Sequence, residues 1–219
     1  MDTGTRTMNK HEKYKMYPKI YKTVYEKMHK TPLVPLDIML DIEETMYWYD
    51  DNFYVWGENK PHLKNRKGLA LINLDGKFSK SDPSLGPLDI YNNTHDVHYL
   101  EPDFRTPTTA FNEHCYDPLR QFQLCRSSIL SWTDGDHFVP HTDVVIPTVN
   151  LRLWGASNPY VELKFNGEAV NFEPGRVYLI DTSITHEARS IDNVYQFFIG
   201  LLPTDKNVDL IYNSSLVKL

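Results

Sequence analysis

The second half of the chain consists of short β-type runs separated by turn signals, and this pattern restricts the fold most. Asn166-Gly167 is typical of a type I′ hairpin turn, and Pro174-Gly175 is typical of a type II turn. Several short strands at this spacing predict an antiparallel sandwich or barrel over residues 119–203. The predicted strands cover residues 120–132, 149–154, 160–165, 169–172, 176–181 and 194–202.

The first part of the chain, residues 10–118, is predicted to be rich in helices and loops. Lysine, tyrosine and apolar residues at helical spacing predict a helix near residues 18–30. A second one-sided apolar stripe predicts a helix within residues 35–51, with Asp37 supplying a negative charge near its N-terminus. The apolar residues of that stripe are Leu36, Met39, Leu40, Ile42 and Met46.

A single strand is predicted in this part of the chain, at residues 68–74, followed by an Asp75-Gly76 turn. The Pro-, Asp- and Ser-rich stretch after it is too long for an ordinary loop. Long segments of this kind often act as lids or binding loops, so residues 75–118 are predicted to be a lid. Residues 1–9 are predicted to be a disordered tail.

Composition favours one packed domain, because 41% of the 219 residues are hydrophobic and 13% are aromatic. The formal net charge of −6 gives no general attraction to phosphate backbones, so nucleic acid is not expected as a partner. The sequence has no run of about 18 apolar residues, so no membrane span is expected. Two cysteines, Cys115 and Cys125, make no disulfide framework, and reduced thiols in a cytoplasmic protein are expected.

The pattern that carries chemistry is an H-x-D pair, His141 and Asp143, followed by a distant His186. Side chains at i and i+2 of a strand share a face, so the pair can occupy adjacent positions around one metal. Two imidazoles and one carboxylate leave one face of an octahedron open, as in non-haem Fe(II) oxygenases. A structural zinc site would instead be closed by four protein ligands. The sequence therefore predicts that these three residues bind iron and are the catalytic centre.

Five short stretches together carry a resemblance to a known family. The stretches are Arg126-Ser127-Ser128-Ile129-Leu130, His141-Thr142-Asp143, Leu151-Arg152-Leu153-Trp154, Pro174-Gly175-Arg176 with Ile180-Asp181-Thr182-Ser183, and His186-Glu187. Residues 119–202 resemble the Fe(II)/2-oxoglutarate-dependent dioxygenases. They are most similar to the aspartyl/asparaginyl β-hydroxylase-like group, which includes proline hydroxylase-like members.

The resemblance implies a mainly β, α+β fold. It would be a double-stranded β-helix, a jelly-roll or cupin-like barrel, with N-terminal helices packed on it, in a single domain over residues 1–219. It also implies Fe(II) with 2-oxoglutarate and O₂ as co-substrates. The implied substrate is a small molecule or peptide, and the implied reaction is hydroxylation of a C–H bond in a free or peptidyl amino acid.

The resemblance also implies which residues bind the co-substrate. Arg152 matches an arginine that binds 2-oxoglutarate in the group, and Trp154 stands where the group has a histidine. A basic residue about ten positions beyond the last histidine is replaced here by Gln196, which can hydrogen-bond a carboxylate but carries no charge. Arg189 is the alternative anchor, but its odd offset from His186 would place it on the opposite face of a strand.

Two residues are predicted to contact substrate. Arg126 lies on the strand before the H-x-D pair and can pair with a substrate carboxylate, whereas His137 is interpreted as a loop residue or a substrate contact. Asp181 is predicted to have a turn or capping role with its neighbours.

Two other functions compete with the dioxygenase. One is a cupin-like, metal-dependent enzyme that does not use 2-oxoglutarate, which the neutral Gln196 favours. The other is a non-catalytic metal-binding barrel, against which the complete ligand set counts.

Overall fold

The computed structural model describes residues 32–55, 66–114, 117–143, 151–182, 184–202 and 204–213. The predicted tail at residues 1–9, the helix predicted near residues 18–30, and Cys115 lie outside these residues. The strands are β1 Leu33–Met39, β2 Tyr54–Val55, β3 Lys67–Asn73, β4 Thr106–Pro107, β5 Leu124–Trp132, β6 His137–His141, β7 Leu151–Ala156, β8 Val161–Phe165, β9 Glu168–Val170, β10 Arg176–Asp181, β11 His186–Ser190 and β12 Val194–Leu201. The α-helices are α1 Ile42–Tyr49, α2 Leu88–His95, α3 Thr109–Glu113 and α4 Asp205–Asn213.

Strands β5 to β12 form a double-stranded β-helix, which is a jelly-roll barrel. The larger sheet contains the order β10-β7-β12-β5, and the smaller sheet has the order β6-β11-β8-β9. Every pairing in both sheets is antiparallel. The larger sheet is extended by β1 beside β10 and by β3 beside β5. The barrel and the mainly β fold class predicted from the sequence are therefore confirmed.

Alternating side chains of the larger sheet fill two separate cores. Trp132, Trp154 and Ile180 lie in the cluster inside the barrel, together with residues of the smaller sheet. Leu153 and Phe197 point to the other face and pack with the N-terminal part of the chain. Arg152 shares a face of β7 with Trp154, and Gln196 shares a face of β12 with Val194. Both polar residues are therefore directed toward the barrel interior.

The hairpin between β8 and β9 turns at Asn166 and Gly167. Both residues have positive φ, 51° and 83°, as a type I′ turn requires. Gly175 has a φ of 77°, which suits the third position of a type II turn. The two predicted turns are therefore confirmed.

The helix predicted within residues 35–51 is wrong over its first half, because residues 33–39 form β1. Leu36 and Ile38 are buried whereas Asp37 and Met39 are exposed, which is the alternation of a strand rather than a helix. β1 pairs with β10, and α1 begins only at Ile42. Its N-cap is Asp41, not Asp37: Asp41 Oδ1 accepts a hydrogen bond from the Glu44 amide at 3.0 Å.

The strand predicted at residues 68–74 is confirmed as β3. The turn after it is stabilised by Asn73, whose Oδ1 accepts a hydrogen bond from the Gly76 amide at 2.6 Å. Residues 75–114 then contain α2, α3 and two short 3₁₀ turns, at Pro83–Leu85 and Glu101–Asp103. The prediction that this segment is a lid stays a prediction.

Cys125 lies on β5 with a free thiol that is 2% exposed. Burial raises the pKa of this thiol far above its usual value. In the described part of the chain, none of the helices has the length and apolar character needed to span a bilayer.

Candidate metal site

The barrel brings His141, Asp143 and His186 together at one end of the smaller sheet. His141 is the last residue of β6 and His186 is the first of β11, and the two residues are directly paired across these antiparallel strands. Their ring centroids are 4.4 Å apart. Asp143 follows β6 by two residues, and its backbone amide donates to the Thr182 carbonyl oxygen at 3.0 Å. The predicted H-x-D pair thus begins on a strand and ends just beyond it.

Both histidines are oriented by their own backbone. Nδ1 of His141 lies 2.7 Å from the carbonyl oxygen of Val139, and Nδ1 of His186 lies 2.9 Å from that of Ile184. A carbonyl oxygen only accepts hydrogen bonds, so each Nδ1 carries a proton, and in the neutral imidazole the lone pair is then on Nε2. This is the tautomer in which metal-binding histidines are commonly held.

The charges around Asp143 favour its ionised form. Burial alone would raise the pKa of this carboxyl, but the positive charge of Arg152 and the nearby His186 and His141 lower it below its usual value. Burial also lowers the pKa of His186, which favours the neutral imidazole. A deprotonated carboxylate and a neutral imidazole are the forms that bind a metal.

These three residues fit a single metal ion. One ligand atom from each lies within 4.8 Å of the others, and His141 Nε2 is 3.8 Å from Asp143 Oδ1. Phe138 stacks on the His141 ring at 5.0 Å between centroids, and Phe165 lies beside His186 at 6.2 Å. Aromatic rings thus flank both imidazoles. A metal held by three protein ligands keeps coordination positions open for exogenous molecules.

Arg152 lies between this site and a buried carboxylate. Its Nη2 donates to Glu101 Oε1 at 2.5 Å, and Arg126 Nη1 donates to the same oxygen at 3.0 Å. The structure therefore brings both predicted arginines to one end of the barrel, and a carboxylate from the protein itself contacts both.

Gln196 and Trp154 lie together deeper in the barrel. Both are at most 1% exposed, and Trp154 Nε1 donates to Gln196 Oε1 at 3.0 Å. Nε2 of Gln196 is buried and has no hydrogen-bond partner among the described residues. That donor remains available to a ligand oxygen, although Oε1 is already engaged.

Two predicted residues lie outside the metal-ligand set. His137 begins β6 rather than lying in a loop, and its Nε2 is 3.3 Å from Glu187 Oε2. Arg189 is exposed on β11, whereas Ala188 and Ser190 beside it are buried. This agrees with the expectation that an odd offset from His186 points Arg189 outward.

The turn or capping role predicted for Asp181 is wrong, because this residue is the last of β10. It is fully buried, and its backbone amide donates to the Pro32 carbonyl oxygen at 2.9 Å.

Two buried charged residues near the site were missed in the sequence. Glu101 contacts arginines 25 and 51 residues away, a separation that no local motif reveals. Arg66 is fully buried, with its guanidinium 4.0 Å from the Trp132 ring centroid and 4.6 Å from that of Phe138. Burial lowers its pKa to about 10. Arg66 therefore packs against Phe138, whose ring stacks on His141.

Comparison with known proteins gives structural likenesses at low identity. No protein-family profile and no curated protein sequence matches this chain. A prolyl hydroxylase from Trichoplax adhaerens, solved with a peptide fragment of the hypoxia inducible factor oxygen degradation domain, is similar at 12% identity with a TM-score of 0.46. That alignment covers 93% of this chain and 96% of the other.

Other solved structures match a smaller share of this chain. A conserved protein of unknown function from Streptococcus pyogenes has 14% identity and a TM-score of 0.30, over 37% of this chain and 66% of the other, just under two thirds of its length. A cupin-2 domain protein from Shewanella frigidimarina has 14% identity and a TM-score of 0.28, over 34% of this chain and 67% of the other. All three TM-scores are below 0.5.

Proposed function

We propose that this chain is an Fe(II)- and 2-oxoglutarate-dependent oxygenase of the aspartyl/asparaginyl β-hydroxylase-like group. It hydroxylates a C–H bond of a free or peptidyl amino acid. The observation that carries the proposal is the convergence of His141, Asp143 and His186, with Nδ1 of both histidines bonded to backbone carbonyl oxygens and an arginine that lowers the pKa of the carboxylate. This donor set, with open positions, is the one that non-haem iron oxygenases use.

Each residue of the site has a defined task. His141, Asp143 and His186 hold the iron, which supplies O₂ activation and oxidising power when it is bound. Arg152 binds and orients the distal carboxylate of 2-oxoglutarate by charge-assisted hydrogen bonds. Gln196 donates a further hydrogen bond through Nε2, and Trp154 fixes the Gln196 amide by donating to its Oε1. His137 contributes to substrate binding directly, and Arg126 contributes indirectly, through its ion pair with Glu101.

A second candidate is a cupin-like, metal-dependent enzyme that does not use 2-oxoglutarate. The observation that favours it is Gln196, a neutral side chain in the barrel interior that already accepts a hydrogen bond from Trp154. Arg152, which supplies a positive charge close to the metal ligands, favours the oxygenase instead.

Succinate formation from 2-oxoglutarate distinguishes the two candidates. The reconstituted protein, incubated with Fe(II), 2-oxoglutarate and a panel of amino acids and peptides, is expected to form succinate with at least one of them. Arg152→Met is expected to reduce succinate formation by at least about 10-fold, since a charge-assisted pair contributes about 1.5–3 kcal/mol. The exposed Arg189→Met is the matched control and is expected to retain activity.

The expected change is mainly a rise in the KM for 2-oxoglutarate, because Arg152 binds the co-substrate before any chemistry occurs. Equal losses of succinate formation in Arg152→Met and Arg189→Met would contradict the role proposed for Arg152. A wild-type protein that binds iron but forms no succinate with any member of the panel would favour the cupin-like enzyme.

A further inference from the structure

A carboxylate from the segment before the barrel already occupies the arginines beside the metal site. Glu101 is only 6% exposed, and its Oε1 accepts hydrogen bonds from both Arg126 and Arg152. One negative charge is thus shared by two positive charges. Breaking such a buried pair is costly unless another anion takes the place of the lost partner.

Arg126 is fixed to the same segment by further hydrogen bonds. Its Nη2 donates to the carbonyl oxygens of Ser84, at 3.2 Å, and of Gly86. These bonds direct Arg126 toward residues 84–101, so it belongs to the contact between this segment and the barrel. Its side chain is 15% exposed, compared with 22% for Arg152.

Arg152 also faces the metal ligands. Arg152 pairs directly with Ile180 of β10. Thr182, two residues further along the chain, accepts a hydrogen bond from the Asp143 backbone amide at 3.0 Å, so Arg152 lies beside the strand end that holds Asp143. A ligand carboxylate that enters beside the metal therefore meets an arginine that already donates to Glu101.

We propose that Glu101 is a specificity-determining residue that competes with the ligand's carboxylate for Arg152. An acidic ligand binds by exchanging the Glu101–Arg152 ion pair for a ligand–Arg152 ion pair, while Arg126 keeps Glu101. A neutral ligand offers no replacement charge, so the competition selects for anions. The inference rests on the proposed function in placing an acidic ligand beside the metal, but the exchange of ion pairs needs no iron.

Glu101→Gln tests the competition because it removes the charge and keeps the size of the side chain. Metal-free wild-type and variant proteins are titrated with succinate, a dicarboxylate, in a calorimeter. Removal of the competing anion is expected to tighten succinate binding by about 10-fold or more, since apparent affinity is reduced by the fraction of protein that is already occupied. Unchanged or weaker binding in the variant, or no binding to either protein, would overturn the proposal.

Two further variants control for charge and contact. Asp89→Asn makes the same charge change at an exposed position of α2 and is expected to leave succinate binding unchanged. Glu101→Asp keeps the charge but withdraws it by one methylene group, so it is expected to tighten binding as well. Tighter binding in Asp89→Asn equal to that in Glu101→Gln would mean that net charge, not competition at Arg152, is responsible.

A double-mutant cycle with Arg126 separates competition from direct ligand contact. Arg126→Met is expected to weaken succinate binding when Glu101 is present, because Glu101 then pairs with Arg152 alone. In the Glu101→Gln background the same change is expected to have no effect. Weaker binding in both backgrounds would show that Arg126 itself binds the ligand and would overturn the assignment. If Arg126→Met fails to fold, the two Glu101 variants decide.

The binding and turnover measurements fail independently. If Glu101→Gln tightens succinate binding but the wild-type protein forms no succinate from 2-oxoglutarate, the proposed function is refuted and the competition at Arg152 stands. A protein that turns over 2-oxoglutarate, but whose succinate affinity is unaffected by Glu101→Gln, refutes the competition alone.

Discussion

Replacement of Asp143 by alanine is expected to reduce iron-dependent succinate formation by at least about 100-fold. Loss of groups that only support a metal ligand typically lowers metal affinity or activity by 10–100-fold, so loss of the ligand itself should cost more. Asp143 is also the one anionic member of the set, and the positive charge of Arg152 favours its ionised form. Without it the protein has only two neutral ligands for the cation.

The measurement is succinate release at saturating Fe(II), with Asp134→Ala as the matched control. Asp134 is an exposed residue of the turn between β5 and β6, and it is outside the metal-ligand set. The control is expected to retain wild-type turnover. Activity in Asp143→Ala within a few-fold of wild type would contradict the assignment of this carboxylate.

Replacement of Gly155 by alanine is expected to lower the free energy of unfolding by about 3 kcal/mol. Gly155 lies on β7, and a Cβ added there would be 2.4 Å from Phe197 Cζ and 2.5 Å from the carbonyl oxygen of Arg176. Phe197 is fully buried and the carbonyl belongs to the adjacent backbone, so neither can move away without disturbing the sheet. The loss is a large share of the 5–15 kcal/mol that typically stabilises a native domain.

Thermal unfolding followed by circular dichroism measures this effect, and Gly86→Ala is the control. A Cβ at Gly86 would meet nothing within 4 Å, and the residue has a φ of −155°, which alanine also adopts. Gly155→Ala is expected to lower Tm by about 10 °C, at roughly 2–4 °C per kcal/mol for a chain of this size. An unchanged Tm in Gly155→Ala would show that β7 packs less closely against β10 and β12 than the structure indicates.

The sequence revealed the parts of the fold and site that depend on local patterns. The Asn166-Gly167 turn and the strands around it follow from turn chemistry and from runs of β-type residues. His141 and His186 could be placed because each lies at the end of a strand, and the barrel brings these strand ends together. Local spacing therefore predicted the H-x-D pair, and the order of strands predicted that His186 would lie beside it.

The features that the sequence did not reveal depend on contacts between distant residues. The apolar residues Leu36, Met39 and Leu40 fit a helical stripe, but pairing with β10 makes residues 33–39 a strand. Glu101 lies in a 3₁₀ turn and gave no local signal, because its role depends on Arg126 of β5 and Arg152 of β7. Tertiary contacts decided both cases.

Anaerobic Fe(II) binding to His141→Ala and His137→Ala tests the metal site most directly. Both histidines lie on β6, but only His141 belongs to the ligand set, whereas His137 lies beside Glu187. Wild type and His137→Ala are expected to bind one Fe(II) per chain with similar affinity, and His141→Ala is expected to bind it at least about 100-fold more weakly. Iron binding that is unchanged in His141→Ala would contradict the proposed site.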